Sequence, residues 1–335
     1  MELKSGGIGK YANRLIFSDK IFRMIITLTP NPSVDRTLRI PQLRFNEILR
    51  AHDVQIGWGG KGFNVSRALR ILNQDTLALG WVGGSTGKML EDGLNKLGIQ
   101  TDFVWVKEET RTNTVAQEDE GEWYIRLNEP GPHIPEEAIQ ALLIKALSYA
   151  SGNDIWVASG SLPQDVPEDF YAQLIRLLKQ KGVRVFFDGN DQALKLGVAE
   201  APYLVKPDIT EAEAFVGFPI TTYEDAKRAV LPFLRQGIQH VGLSIGGLGL
   251  LLASQHEMVL AAPPKVAIRN VTGAGDSLMA GMVYGFSKDF PLIEVARFGA
   301  AFGAVLVTTE SLSQVTYEDV QAMLPRVDAR TVNVM

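Results

Sequence analysis

Short apolar runs bounded by turn residues recur along the chain, at Ile25–Thr29, Thr76–Val82, Asp154–Ala158, Val183–Phe187, Tyr203–Val205 and His240–Ile245. Between them, apolar positions return at helical spacing over Asn64–Leu72, Gly87–Leu97, Pro135–Tyr149, Pro167–Lys181, Thr210–Val216 and Tyr223–Gln236. Two further helical patterns follow, Asp276–Ser287 and Leu292–Thr308. Buried strands alternating with amphipathic helices predict an α/β fold, a doubly wound and mainly parallel sheet with helices on both faces. The first strand must stop at Thr29-Pro30-Asn31-Pro32, because two prolines so close can neither continue a strand nor open a long helix.

Two regions break this rhythm. Residues 34–57 and 101–128 carry short alternating strands without helices: Thr37–Ile40, Phe103–Val106, Thr112–Gln117 and Trp123–Leu127. Without crossover helices they cannot be parallel core strands, so they are expected to form one small antiparallel sheet, a lid projecting from a single domain over 24–335. Its outer face would carry Ile40, Val104 and Val106, and those apolar residues predict a homodimer joined lid to lid.

Composition narrows the function classes. With 335 residues and 46% hydrophobic content the chain can bury a large core, and a net charge of −5 offers no basic field for nucleic acid or an anionic membrane. The absence of cysteine excludes disulfides, thiolate zinc sites and cysteine nucleophiles. The four histidines, at 52, 133, 240 and 256, form no metal-ligand pattern. No run approaches the roughly 18 apolar residues of a membrane span. Residues 1–23 hold Lys4, Lys10, Arg14, Lys20 and Arg23 without an apolar stretch. They read as an extension, or as upstream sequence if translation begins at Met24, and not as a secretory signal. The expected compartment is the cytoplasm.

Two glycine-rich segments open helices. Asn270-Val271-Thr272-Gly273-Ala274-Gly275-Asp276-Ser277 precedes the helix beginning near Asp276, and unpaired N–H groups at such an end bind anions. Asp276 could instead simply cap that helix. Gly59-Gly60-Lys61-Gly62-Phe63-Asn64 precedes another helix and adds a charge and an amide. Gly57–Gly62 satisfies GxGxxG in form but follows the small-sheet region rather than the first core strand, which argues against dinucleotide binding. Gly87-Lys88 lacks the earlier glycine of a P-loop.

These two segments, in this order, resemble the two signature motifs of the ribokinase-like (PfkB) carbohydrate kinases, and the likeness runs from Met24 nearly to the C-terminus. Thr27–Asp35 is similar to the opening strand and loop of the phosphofructokinase branch, and Ser159-Gly160-Ser161-Leu162-Pro163 to another of its loops. Lys206-Pro207-Asp208-Ile209-Thr210-Glu211 resembles the family's Lys-Pro-Asn-x-x-Glu, and Leu243–Gly249 its nucleotide loop. Asn128–Pro132 and Leu324–Asp328 look most like the members that act on fructose 1-phosphate.

The resemblance implies a ribokinase-like fold and an ATP-dependent kinase whose acceptor is a phosphosugar. Fructose 1-phosphate is expected first, with tagatose 6-phosphate and fructose 6-phosphate sharing every motif. Asp276 would be the base, and the backbone of Gly273, Ala274 and Gly275 would hold the charge of the transferred phosphoryl. Asp35, Gly60, Asn64 and Ser161 would grip the sugar. Lys61, Arg111 and Arg50, the last across a dimer, would meet its phosphate. Ser244, Gly246 and Gly249 would cradle ATP, with Lys206 at its phosphates. Glu211 would act through Mg²⁺. Where the family usually has Asn this chain has Asp208, which sets two carboxylates three apart beside the metal. The small residues of Gly299–Ala304 fit either an adenine pocket or a close helix contact. A non-catalytic sensor on the same scaffold would have lost the base or its glycines first, and this chain retains both.

Overall fold

The computed structural model describes residues 24–119 and 123–333, so the expectation for residues 1–23 lies outside the described residues. The chain begins with β1 (Ile25–Thr29), β2 (Ser33–Ile40), β3 (Asp53–Gly59), α1 (Lys61–Ile71), β4 (Leu77–Gly83) and α2 (Gly84–Lys96). Four short strands follow, β5 (Gln100–Thr101), β6 (Val104–Val106), β7 (Arg111–Glu118) and β8 (Tyr124–Asn128). Then come α3 (Glu136–Tyr149), β9 (Ile155–Ser159), α4 (Phe170–Lys179), β10 (Arg184–Asp188), α5 (Asp191–Ala199), β11 (Leu204–Val205), α6 (Ile209–Val216), α7 (Tyr223–Arg235) and β12 (His240–Ser244). The described chain closes with β13 (Leu250–Ala253), β14 (Met258–Ala262), α8 (Ala274–Ser287), α9 (Leu292–Val307), α10 (Tyr317–Met323) and β15 (Asp328–Val332).

The main sheet has the order β15-β14-β13-β12-β11-β10-β9-β1-β4-β5, with β6 also on β4. It is parallel from β12 to β4 and antiparallel from β12 to β15. Strand side chains alternate between two buried layers, as the period of two requires. Ile26, Leu28, Trp156, Ala158, Val185 and Phe187 pack with α3, α4, α5 and α7. Ile25, Ile155, Val157 and Phe186 pack with α1, α8, α9 and α10. The doubly wound sheet is therefore as expected. The antiparallel edge β13–β15 and the helices α5 and α10 were not legible, because their runs of four to nine residues carry too little period to separate from loop.

The small sheet has the order β3-β2-β7-β8. Its outer pairings are antiparallel and the central β2–β7 pairing is parallel. One expected member is absent from it: Val104–Val106 pairs in parallel with Trp81–Gly83 of the main sheet. The two valines pack against the main core, and Ile40 is itself buried. The outward apolar face is formed instead by Val54, Ile56 and Leu127, all exposed. Gly281 and Gly299 settle the small-residue helix: a Cβ on Gly281 would lie 2.5 Å from the Phe298 carbonyl, so the glycines permit close α8–α9 packing.

Candidate active site

The sheet order reverses beside β1, where β4 lies on one side and β9 on the other. Crevices beyond the C-terminal ends of parallel strands at such a point are where open α/β sheets bind ligands. Here those ends deliver Thr29, Ser159, Asp188 and Ser244, with Lys206 directly after β11.

α8 begins at the same end. Its N-cap, Gly273, has φ 83°, a left-handed conformation that glycine adopts without strain, and no side chain caps the helix. Asp276 therefore does not act as a cap. Its carboxylate is 7% exposed and accepts a hydrogen bond from Asn64 Nδ2 at 2.9 Å. Burial, and then the charge of Asp188, push the Asp276 pKa up to about 6 against the opposing pull of Asn64, Lys61 and Lys206. A buried carboxyl titrating near neutrality beside a helix N-terminus is suited to accept a proton from an alcohol.

Asp188, at the last position of β10, is a residue that sequence reasoning missed. It is 1% exposed and accepts from Lys61 Nζ at 2.9 Å, and Lys206 Nζ lies 3.2 Å from its other oxygen. Burial alone would raise its carboxyl; the ammonium groups of Lys206 and Lys61 outweigh that and hold it below the ordinary value. Asp188 thereby fixes two cations, one from the α1 glycine loop and one beside α8, where a Cβ on Gly275 would sit 3.5 Å from Lys206 Nζ. The available signal was an acidic residue ending an apolar run in a parallel sheet, followed by Gly189-Asn190.

Asp208 and Glu211 form a capping box at the start of α6. Asp208 Oδ1 accepts from the Glu211 N–H at 2.8 Å, and Glu211 Oε2 from the Asp208 N–H at 2.9 Å. The spacing of three thus has a structural cause of its own. Glu211 keeps its other oxygen 3.8 Å from Lys61 Nζ, and burial followed by the charge of Asp188 raises its pKa. Among the described residues, no group of three or more acidic or histidine side chains is placed to hold a metal.

The small sheet covers this floor. Asp35 accepts from Ser33 Oγ at 2.7 Å and from Asn113 Nδ2 at 2.9 Å, and Gly59 leaves room for its carboxylate, since a Cβ there would lie 2.3 Å from Oδ2. Gly60, the N-cap of α1, has φ 118°. Arg111 lies at the rim, donating to the carbonyls of Asn31 at 2.8 Å and Glu129 at 3.1 Å. Gly160 adjoins the Lys61 stem, which brings Ser161 to the edge of the site. Arg50 is exposed in the β2–β3 loop and is not brought to this cluster. Two contacts bind the sheet across the site: Arg126 donates to Thr272 Oγ1 at 2.7 Å, and Arg39 pairs with Glu310 at 2.8 Å.

At the end of β12, Ser244 N–H donates to the Pro207 carbonyl at 3.1 Å, which joins that strand to the α6 cap. Gly246 has φ 52° and open space around it. Gly249 has φ 99°, and a Cβ there would strike the Ala261 carbonyl at 2.1 Å, so its glycine answers to the neighbouring strand.

Residues 28–318 match the pfkB family carbohydrate kinase model. A 1-phosphofructokinase of Bacillus subtilis is 37% identical over 306 residues, 91% of this chain and 98% of that protein. A 1-phosphofructokinase of Escherichia coli K12 is 30% identical over 93% of this chain and 99% of its own. The tetrameric inhibited form of Escherichia coli phosphofructokinase-2 superimposes with a TM-score of 0.85 at 30% identity, covering 91% of this chain and 99% of the other.

Proposed function

We propose that this chain, which belongs to the pfkB family of carbohydrate kinases, transfers the γ-phosphoryl group of ATP to a hydroxyl of fructose 1-phosphate, giving fructose 1,6-bisphosphate. For the reaction class, the observation that carries the reading is Asp276, buried in the uncapped first turn of α8 and hydrogen-bonded by Asn64. The choice of sugar follows the B. subtilis relative, similar over nearly its whole length. The test is ATP consumption with fructose 1-phosphate, fructose 6-phosphate, tagatose 6-phosphate, fructose, ribose and adenosine. Fructose 1-phosphate should give the highest kcat/KM; a better unphosphorylated acceptor would sink the phosphosugar reading.

Phosphoryl transfer needs a positioned hydroxyl, a proton acceptor and compensation of charge on the transferred group. Asp276 takes the hydroxyl proton. The N–H groups of Gly273 and Gly275 face the growing negative charge, and that of Ala274 joins them on leaving the Val271 carbonyl, to which it donates at 3.3 Å. Lys206 meets the nucleotide phosphates, with Ser244, Gly246 and Gly249 forming the adjoining loop. Asp35, Gly60, Asn64 and Ser161 hold sugar hydroxyls, while Lys61 and Arg111 address the acceptor's phosphate. The small sheet acts as a lid excluding water, with Arg126 and Arg39 as its clasps. Because the reaction consumes ATP, the proposed compartment is the cytoplasm; among the described residues no helix is long and apolar enough to cross a membrane.

Glu211 is the residue assigned to Mg²⁺, and Asp208 acts on the metal by orienting Glu211 through the capping box. When bound with ATP, Mg²⁺ neutralises charge on the phosphate oxygens. Asp208→Asn keeps an equally good cap. The Mg²⁺ activation curve at fixed MgATP should therefore stay within about twofold of wild type, and Asp208→Ala should lose about 1 kcal/mol of stability and need more free Mg²⁺. A large shift in the Asn variant alone would instead make Asp208 a direct metal partner.

The exposed Val54, Ile56 and Leu127 support a homodimer through the lid, in which Arg50 would reach the partner's acceptor site. Ile56→Asp should convert dimer to monomer in sedimentation equilibrium at micromolar concentration. Wild-type protein that sediments as a monomer removes both the pairing and the role of Arg50.

A further inference from the structure

Arg67 is not among the residues read from the motifs, yet it lies between the lid and the base. It stands on α1 three residues after Asn64, so their side chains meet on one face. Its Nη1 donates to Asn64 Oδ1 at 3.2 Å and to the Trp58 carbonyl at 3.1 Å. Trp58 belongs to β3, a lid strand, and its ring presses on α2 where a Cβ on Gly93 would lie 2.1 Å away. The carbonyl end of the Asn64 amide is thus held by a cation anchored to the lid's root, and its NH₂ end donates to Asp276.

We infer that Arg67 is a positioning residue: it fixes the Asn64 amide so that Nδ2 faces the base, and ties that orientation to the lid strand through the Trp58 carbonyl. An amide has one acceptor end and one donor end. With Oδ1 held by a guanidinium, the amide cannot turn its oxygen on the carboxylate, and its second N–H is the one left for a sugar hydroxyl. Burial pushes the Arg67 pKa down, and the charges of Asp35 and Asp276 oppose that, as expected for a cation set between the sugar-side and catalytic carboxylates. The other charged groups facing Asp276 are Asp188 from β10, Lys61 from α1 and Lys206 after β11, and none of these bonds to Arg67.

This role rests on the reading of Asp276 as base, so the experiment separates the two. The acid limb of kcat is measured for wild type, Arg67→Met, Arg67→Lys, Asn64→Ala and the Asn64→Ala/Arg67→Met double variant, with melting curves to confirm folding. Arg67→Met should lower kcat about tenfold through misplacement of the base. It should move the acid limb up by about half a pH unit or more, as a donor to the carboxylate is loosened, with KM for ATP within about twofold. Arg67→Lys should recover part of both effects, and in the Asn64→Ala background Arg67→Met should change kcat less than about twofold. A wild type without an acid limb overturns the base assignment and this role with it. A normal wild-type limb that stays unmoved in Arg67→Met, or effects that multiply fully in the double variant, overturns the role of Arg67 alone. If Arg67→Met fails to fold, Arg67→Gln supplies the same comparison.

Discussion

Asp276→Asn should lower kcat by at least about 10²-fold, the lower range for loss of a general base, while leaving the fold intact or slightly more stable. The amide keeps the size of the side chain but cannot take the alcohol proton. The α8 backbone and Lys206 are untouched, so KM for ATP should change little. In the wild type, Asp276 must be ionised to act, and its pKa is pushed up to about 6. Activity should therefore fall about tenfold per pH unit below that value and level off above it. The same shift fixes the sign of the stability effect. A carboxyl whose folded pKa is raised from the ordinary 3.8 to about 6 stabilises the fold below 3.8, and that contribution is lost as pH rises through 6. The wild type thus carries a penalty on the order of 1–3 kcal/mol at neutral pH, and the Asn variant, free of the charge, should melt at an equal or higher temperature. The decisive measurement is kcat against pH for both proteins beside their melting curves. Near-wild-type turnover in the variant would remove Asp276 from catalysis.

Asp188→Asn should cost about 3–5 kcal/mol, the range for leaving a buried charge without its partner, and should abolish turnover as well. Lys206 is 4% exposed, and among the described residues Asp188 is its ion-pair partner. Lys61 is 40% exposed on its side chain, so water compensates that arm and Lys206 carries most of the loss. The Asp188 pKa lies below the ordinary 3.8, so its stabilisation is present above about pH 4 and is lost as pH falls through the folded value. The stability difference between wild type and variant should accordingly be full at neutral pH and shrink in strong acid. Replacing Asp188 and Lys206 together by apolar residues should restore much of the stability without restoring activity, because a buried pair contributes less to the fold than its rupture costs. Denaturation curves at pH 3 and pH 7 check this. An Asp188→Asn protein as stable as wild type at neutral pH would show that the two lysines need no carboxylate between them.

The alternation of short apolar strands and amphipathic helices was enough to establish a doubly wound sheet, because both periods are written locally in the side chains. The two glycine-rich helix starts were equally legible, since only small residues allow a backbone to approach an anion at a helix N-terminus. Val104 and Val106 show where local reading ends: the segment is a strand by pattern, but its partner, β4 rather than the lid, is chosen by long-range packing that an alternating tripeptide does not encode. Asp208 and Glu211 show the same limit, as one spacing serves a capping box and a metal site alike and only the hydrogen bonds tell them apart. Asp276 could have been a cap until the fold buried it against Asn64. Asp188 and Arg67 lie far apart in sequence, and they gain their meaning only when the ends of β10 and α1 meet under the lid. The sequence by itself determined the longer elements and the two glycine-rich helix starts, which are properties of neighbouring residues. The tertiary structure decided which charges face one another, because a buried carboxylate takes its partners and its pKa from side chains of other elements, Lys61 of α1 lying 127 residues from Asp188.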